Sequence, residues 1–274
     1  MTHSSPDNSK KKLIEGLAAD LEAETRELTA VLDAMADSGW DAPTPAEGWT
    51  VRDQVTHLAF FDDAVLLSLR DPDGFTKRRA EHLAIGDRFT DIVAERHRHL
   101  SGAEALSWLR RSRGAVLAEY RAADPAARLP WYGPDMGVAS SVTARLMETW
   151  AHGQDIRDTA GAVTTASPRL RHIANLGVRT LGFCFAQRGL PVPDEPVHVA
   201  LAGPGGDAWT WGPEDAENRV TGGALDFCLV VTQRRNAADT GLAVTGPVAE
   251  QWIAIAQAFA GRPTNPPPPG GSRA

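Results

Sequence analysis

Three residues of the sequence have the types and spacing to bind one divalent metal ion. Glu148 and His152 are four residues apart in a segment of helical periodicity, so their side chains lie one turn apart on the same face. His57 lies on the flank of the apolar stripe of another predicted helix, where it can point obliquely into a bundle. Two imidazoles and one carboxylate leave positions open for water or substrate, as in catalytic zinc sites. Nitrogen and oxygen ligands suit zinc, iron or nickel, and spacing alone does not choose among them.

The same residues also have simpler interpretations. A Glu-x-x-x-His pair on a helix is most often a solvated face or a local hydrogen bond, and a single histidine near an apolar stripe is most often a satisfied core residue. Asp62 falls on the apolar stripe of the helix that carries His57. A buried carboxylate at that position is costly unless another group pairs with it.

These residues must be positioned by helices, because apolar residues recur at helical spacing up to about residue 188. Thr50 is a plausible N-cap of the second predicted helix. This pattern predicts a four-helix bundle with accessory helices. The predicted helices cover residues 10–38, 50–69, 75–100, 103–122, 140–160 and 168–187.

After Pro191 the pattern changes to short apolar runs separated by Gly and Pro. VHVALAG and AWTWG predict a hairpin joined by the turn-forming PGGD, and GLAVTG predicts a further strand. GALDFCLVVTQRR and VAEQWIAIAQAFAG predict two helices. The expected fold is therefore mainly α, with a DinB-like four-helix bundle over residues 10–165 and a small α+β domain over residues 166–262. Residues 1–9 and 263–274 are expected to be disordered tails, because their Ser, Pro and Gly content leaves little to pack.

Composition excludes several classes of protein. The formal net charge is −7 and no basic stripe is present, which argues against a nucleic-acid partner. No segment is apolar enough for a membrane span or a signal peptide. The two cysteines, Cys184 and Cys228, give no sign of a disulfide framework, so we expect reduced thiols and a cytoplasmic location. The expected state is a monomer or a homodimer that binds a small-molecule substrate.

Two stretches resemble the signature regions of a known superfamily. PAEGWTVRDQVTHLAFFDDA and ARLMETWAHGQDIRDTAG are similar to those of the DinB-like metalloproteins, and most similar to the branch typified by mycothiol-dependent maleylpyruvate isomerase. The resemblance implies a bundle with a zinc site formed by His57, Glu148 and His152, followed by a smaller α+β domain. The chain also resembles an actinobacterial subgroup whose C-terminal segment is likened to a wyosine-formation domain. Wyosine is a tRNA base, but the net negative charge of this chain argues against tRNA binding.

The resemblance also implies a reaction and further site residues. It implies a zinc-dependent isomerase or thiol S-transferase that uses mycothiol as co-substrate. In the family an arginine near a helix end reaches the substrate's carboxylates; Arg234 is the better match and Arg235 its neighbour, although Gln233 replaces the usual glycine. The alternative is an ordinary cation at a helix C-terminus, favoured by the helix dipole. Asp155 is expected to orient a ligand, and Arg145 is the next candidate for a substrate anchor.

The sequence is also compatible with two other functions. The same scaffold could carry a thiol-free enzyme, in which the metal activates water or polarises a carbonyl. It could also be a non-catalytic binding module whose metal is incidental or absent. A thiol enzyme needs a cationic patch for the polar groups of the thiol, and sequence alone does not reveal one.

Overall fold

The computed structural model describes residues 6–270, and the chain divides into two compact units, Met1–Val163 and Thr164–Ala274. The first unit is helical, and its four long helices α1, α2, α5 and α6 pack against one another as a bundle. The shorter α3 and α4 pack against α2. The predicted four-helix bundle with accessory helices is thus confirmed. The helices are α1 (Pro6–Asp33), α2 (Val51–Arg70), α3 (Pro72–Ala84), α4 (Phe89–His97), α5 (Gly102–Ala122) and α6 (Val138–Ala160).

The start of α2 is fixed by local hydrogen bonds. The backbone N–H of Asp53 donates to the Thr50 hydroxyl at 3.3 Å, and the backbone N–H of Thr50 donates to the Asp53 carboxylate at 2.9 Å. This reciprocal capping box satisfies two of the orphan donors of a helix N-terminus. Arg98 also pairs with the Asp53 carboxylate at 2.9 Å. The predicted N-cap at Thr50 is confirmed.

Some predicted helix boundaries were wrong. The single helix expected over residues 75–100 is divided into α3 and α4, because Gly86 has a φ of +76° that a helix cannot include. The first helix begins at Pro6, so residues 6–9 are helical and not a disordered tail. Residues 1–5 and 271–274, also predicted as tails, lie outside the described residues.

A buried ion cluster joins three helices of the bundle. Asp62 on α2 is fully buried, and its carboxylate accepts from the Nε of Arg113 at 2.7 Å and from the Nε of Arg145 at 3.0 Å. Arg145 on α6 also donates to the carbonyl of Leu58 at 3.0 Å. The carboxylate that the sequence placed on an apolar stripe is thus paired twice, which makes its burial tolerable.

The second unit contains helices and a four-stranded sheet with the strand order β4-β3-β5-β6. β3 is antiparallel to β4, as the predicted hairpin requires, and parallel to β5 on its other side. The strand β5 was not predicted from the sequence.

Both cysteines of this unit are free and buried, and burial raises the pKa of each thiol. A two-stranded β1–β2 ribbon precedes α6 in the first unit. The remaining elements are β1 (Arg128–Leu129), β2 (Met136–Gly137), α7 (Leu170–Arg179), α8 (Leu181–Ala186), β3 (Val197–Ala202), β4 (Ala208–Trp211), β5 (Asn218–Gly223), α9 (Ala224–Val231), β6 (Ala243–Thr245) and α10 (Pro247–Ile255).

The segment after α10 is held by side chains of this unit. The hydroxyl of Thr264 donates to the Oε1 of Gln233 at 2.7 Å, and the amide of Asn236 donates to the carbonyl of Pro267 at 2.8 Å. The prediction of a disordered tail from residue 263 was therefore wrong as far as residue 270. Side chains from the loop after α9 donate hydrogen bonds to backbone carbonyls of this Pro-rich segment, which forms no regular secondary structure of its own. In the described part of the chain, no helix is long and apolar enough to cross a membrane.

Candidate metal centre

α2 and α6 bring the three predicted ligands together. The Nε2 of His57 lies 3.3 Å from the Oε2 of Glu148, and the Nε2 of His152 lies 3.1 Å from the same oxygen. The three ligand atoms all lie within 4.8 Å of one another. Ligands at about 2.0–2.1 Å from a tetrahedral zinc ion lie about 3.3 Å apart, which matches the two shorter separations. The residues present therefore fit a divalent ion such as zinc.

Burial and neighbouring charges set the protonation of these groups. Burial lowers the pKa of His57 to about 4, and His152 adds to that effect, although the hydrogen bond with Glu148 opposes it. Burial raises the pKa of Glu148, but the contacts of its carboxylate with the two imidazoles, and their positive charge when protonated, together hold that pKa well below the ordinary value. The site therefore holds a neutral imidazole at His57 beside an ionised carboxylate. These are the forms that bind a metal ion, and little proton release is needed at either group.

The site is open on the side of Glu148. Its side chain is 23% exposed, whereas those of His57 and His152 are 9% and 13% exposed. Three protein ligands with one accessible side leave room for a further ligand, which is the arrangement of catalytic centres.

A row of contacts behind His152 was not found from the sequence. The Nδ1 of His152 is hydrogen-bonded to the Oε1 of Gln54, which lies one turn before His57 on α2. The Nε2 of Gln54 donates to the hydroxyl of Thr44 at 2.9 Å, and that hydroxyl donates to the carbonyl of Trp49 at 2.9 Å. The only sequence signal was the position of Gln54, three residues before His57 and so on a neighbouring face of the helix.

Aromatic rings enclose the imidazoles. The Trp49 ring is stacked on His152 with a centroid separation of 6.0 Å, and the ring of Phe61 lies 4.6 Å from that of His57. The indole N–H of Trp49 donates to Asp91 on α4 at 3.0 Å, which fixes the ring. Phe61 continues into an aromatic cluster formed with Phe60, Phe89, Trp131 and Tyr132. Such walls keep water away from the ligands and lower the local dielectric.

Two other predicted residues of α6 have different surroundings. Arg145 is buried and paired with Asp62, so its expected role as an alternative substrate anchor is wrong. Asp155 is buried three residues after His152 on the same helix. The Nδ1 of His152 is bound by Gln54, and the part of Asp155 in the chemistry stays a proposal.

Arg234 and Arg235 do not lie on a helix, contrary to the predicted segment. α9 ends at Val231, and Gln233 has a φ of +58°. The N–H of Arg234 then donates to the carbonyl of Leu229 at 2.8 Å, and that of Gln233 to Val230 at 2.9 Å. This is a Schellman motif in which Gln233 takes the place usually held by glycine. The two arginines therefore follow the helix end in a loop.

The fold and the site define a class of protein, a DinB-like helical bundle in which two histidines and a glutamate could hold one metal ion. A family model described as the mycothiol maleylpyruvate isomerase N-terminal domain matches residues 21–157. The chain belongs to this family, as the resemblance of its two signature stretches predicted. A second model, described as wyosine base formation, matches residues 193–244.

The chain is also similar to other proteins and to solved structures. Two uncharacterized proteins of Mycobacterium tuberculosis, from strains H37Rv and CDC 1551, are each 44% identical over 245 residues, covering 89% of this chain and 95% of theirs. The crystal structure of the mycothiol-dependent maleylpyruvate isomerase is similar with a TM-score of 0.57 at 14% identity, over 86% of this chain and 95% of that one. A histidine-to-alanine variant of that enzyme gives a TM-score of 0.58. At this identity the structural likeness shows a shared fold.

Proposed function

We propose that this protein is a metal-dependent enzyme, with zinc as the ion, that uses a small thiol of the mycothiol type on an electron-poor small molecule. The observation that carries the proposal is the convergence of His57, Glu148 and His152 at tetrahedral spacing on an open side of the bundle. Membership of a family described by a mycothiol-dependent isomerase supports the thiol. The proposed setting is the cytoplasm, as a monomer or homodimer without a nucleic-acid or membrane partner.

A bound divalent ion would lower the pKa of a coordinated thiol and so supply a thiolate at neutral pH. In the proposed reaction, sulfur bonds to one carbon of a double bond conjugated to a carbonyl, and the displaced electron pair moves to the carbonyl oxygen. Rotation about the new single bond and loss of the thiolate restore the double bond in the other geometry. If the adjacent carbon takes up a proton instead, the thioether stays and the outcome is S-transfer.

The chain's own residues have distinct proposed tasks. His57, Glu148 and His152 hold the ion, and the rings of Trp49 and Phe61 exclude water from it. A dry surrounding strengthens the attraction between the ion and a thiolate. Two further residues have proposed roles. Asp155 would act as a carboxylate behind the ligands, and Arg234 would hold a carboxylate of the substrate through two parallel hydrogen bonds.

Metal analysis with a matched pair of variants tests the centre. Protein purified without chelator is expected to carry about one divalent ion per chain, because catalytic sites of this kind bind a single zinc. His152→Ala should lose most of that ion. His99→Ala should keep it, because His99 lies on the surface and its Nδ1 contacts the Arg96 carbonyl at 2.9 Å. Equal metal content in wild type and His152→Ala would remove the basis of the proposal.

The thiol is tested on the loaded protein. A thiol that binds the folded state at 100 times its Kd should stabilise the protein by about 2.7 kcal/mol, seen as a rise in Tm. Metal loading without any effect of mycothiol would favour the thiol-free enzyme, in which the ion acts on water or a carbonyl. Loss of the metal without effect on any tested turnover would favour the non-catalytic module.

A further inference from the structure

The amide of Gln54 connects one metal ligand to a fixed point of the backbone. Gln54 is fully buried on α2, with His152 on one side of its amide and Thr44 on the other. Any role of Gln54 in presenting His152 to an ion rests on the proposed metal centre. An imidazole can offer either nitrogen to a metal, and the hydrogen bond made by the other nitrogen decides which.

The direction of every hydrogen bond in this row is set by its last member. The carbonyl of Trp49 has no hydrogen, so the Thr44 hydroxyl must donate its single hydrogen to that oxygen, 2.9 Å away. The hydroxyl oxygen of Thr44 then accepts from Gln54, which must turn its NH2 group toward Thr44. The carbonyl oxygen of the Gln54 amide is left facing His152 and can only accept. The Nδ1 of His152 must therefore carry a hydrogen.

We propose that Gln54, oriented by Thr44, is a positioning residue that keeps a hydrogen on Nδ1 of His152 and so presents the Nε2 lone pair of this imidazole to the metal. The geometry agrees, since Nε2 is the nitrogen that lies 3.1 Å from the Oε2 of Glu148. The direct contact also limits rotation of the ring about its Cβ–Cγ bond. Both effects favour metal binding without any contact between Gln54 and the ion.

The other imidazole has no such support. The Nδ1 of His57 is buried and has no hydrogen-bond partner among the described residues. The row from Trp49 through Thr44 and Gln54 therefore acts on His152 alone. The two histidines are unequal ligands, and the effect of Gln54 should be specific to one of them.

Metal affinity, measured by competition with a chromophoric chelator, tests the role of Gln54. Gln54→Leu is expected to weaken zinc binding by about 10–100-fold, the usual effect of removing an outer partner of a ligand histidine. Gln154→Leu is the matched control, because Gln154 is equally buried on α6 but donates to Asp158 at 2.7 Å. Gln54→Glu should largely rescue affinity, since a carboxylate still accepts from Nδ1. Thr44→Val should weaken binding by a smaller factor, because the amide can then turn over.

The tautomer itself is read by long-range proton–nitrogen NMR of the histidine rings. In zinc-loaded wild type, His152 is expected to show a slowly exchanging hydrogen on Nδ1 and a metal-bound Nε2. The proposal is overturned if His152 binds through Nδ1, or if Gln54→Leu binds zinc as well as Gln154→Leu does. Should wild type bind no metal, the proposed function fails. The Nδ1 hydrogen of metal-free wild type, and its loss of exchange protection in Gln54→Leu, still decides the role of Gln54.

Discussion

Acidification of the metal-free protein should reveal the buried neutral state of His57. Burial lowers the pKa of this imidazole to about 4 from the ordinary value of 6.5 that it regains on unfolding. At pH values between these two, the imidazole is therefore protonated in the unfolded chain and neutral in the folded chain. Stability contributed by the neutral imidazole is complete above pH 6.5 and is lost as the pH falls toward 4. Glu148, whose pKa is depressed, adds a loss of the same sign at still lower pH.

The magnitude is set by the two pKa values. One unit of difference corresponds to about 1.36 kcal/mol, so the full span of 2.5 units gives about 3 kcal/mol. At pH 5 most of the unfolded histidine is protonated and most of the folded form is not, which leaves a loss of about 2 kcal/mol relative to pH 7.5. This pH lies above the ordinary pKa of carboxylates, so general acid unfolding contributes little.

The measurement is urea unfolding of chelator-treated protein at pH 7.5 and at pH 5, in wild type and in two variants. His57→Gln cannot titrate in this range, so its loss of stability on acidification should be smaller than that of wild type by about 2 kcal/mol. His99→Gln serves as the control for an exposed histidine and should behave as wild type does. An unchanged pH dependence in His57→Gln would refute the reasoning, because the imidazole would then titrate alike in the folded and unfolded states.

Three further predictions concern other parts of the molecule. Asp62→Asn should reduce the free energy of unfolding by about 3–5 kcal/mol, because it leaves two buried guanidinium groups without a counter-charge. The control Asp63→Asn, on the exposed side of α2, should reduce it by less than about 1 kcal/mol, and urea unfolding measures both. Gln233→Gly should relieve the strain of the left-handed backbone but remove three side-chain hydrogen bonds to the C-terminal segment. The expected net result is a free energy of unfolding lower by about 1–2 kcal/mol, and a more stable variant would show that backbone strain dominates. Arg234→Ala should leave metal content intact and lower kcat/KM by about 30–150-fold, which corresponds to about 2–3 kcal/mol of transition-state stabilisation. Arg235→Ala should have little effect, and equal, small effects of both substitutions would place the substrate anchor elsewhere.

The three candidate ligands could be predicted from helical periodicity together with the resemblance of two stretches to a known family. Glu148 and His152 must share a face of α6 whatever the surrounding fold, and His57 had to lie near the interior edge of α2. The sequence indicated that a buried Asp62 needs a charged partner but did not show which residue it is. Arg113 and Arg145 are its partners because of how three helices cross, which the sequence does not reveal. Gln54 could not be identified from the sequence for the same reason, because its contact with His152 depends on how α2 packs against α6.

Other features had weak or misleading signals. The strand β5 contains NRVTGG, which lacks the apolar alternation that marks a half-buried strand. The end of α9 was misplaced because a glutamine at φ +58° has no sequence signature, whereas a glycine would have marked the stop. Gly86 did carry such a signal between α3 and α4, but the helical pattern on both sides of it pointed to one continuous helix.

The ion cluster around Asp62 has a consequence for the proposed metal centre. It links α2 to α6 through Asp62 and Arg145, and Arg145 lies one turn before Glu148 on α6. Sliding one helix past the other by a turn would separate these buried charges as well as the three candidate ligands, so the charge pair favours one axial register of α2 and α6 without an ion. In zinc fingers, by contrast, the free energy of metal binding is the free energy of folding. At the proposed centre that energy is not needed to order the helices, so we expect a bound ion to be removed by a chelator and replaced while the bundle stays folded.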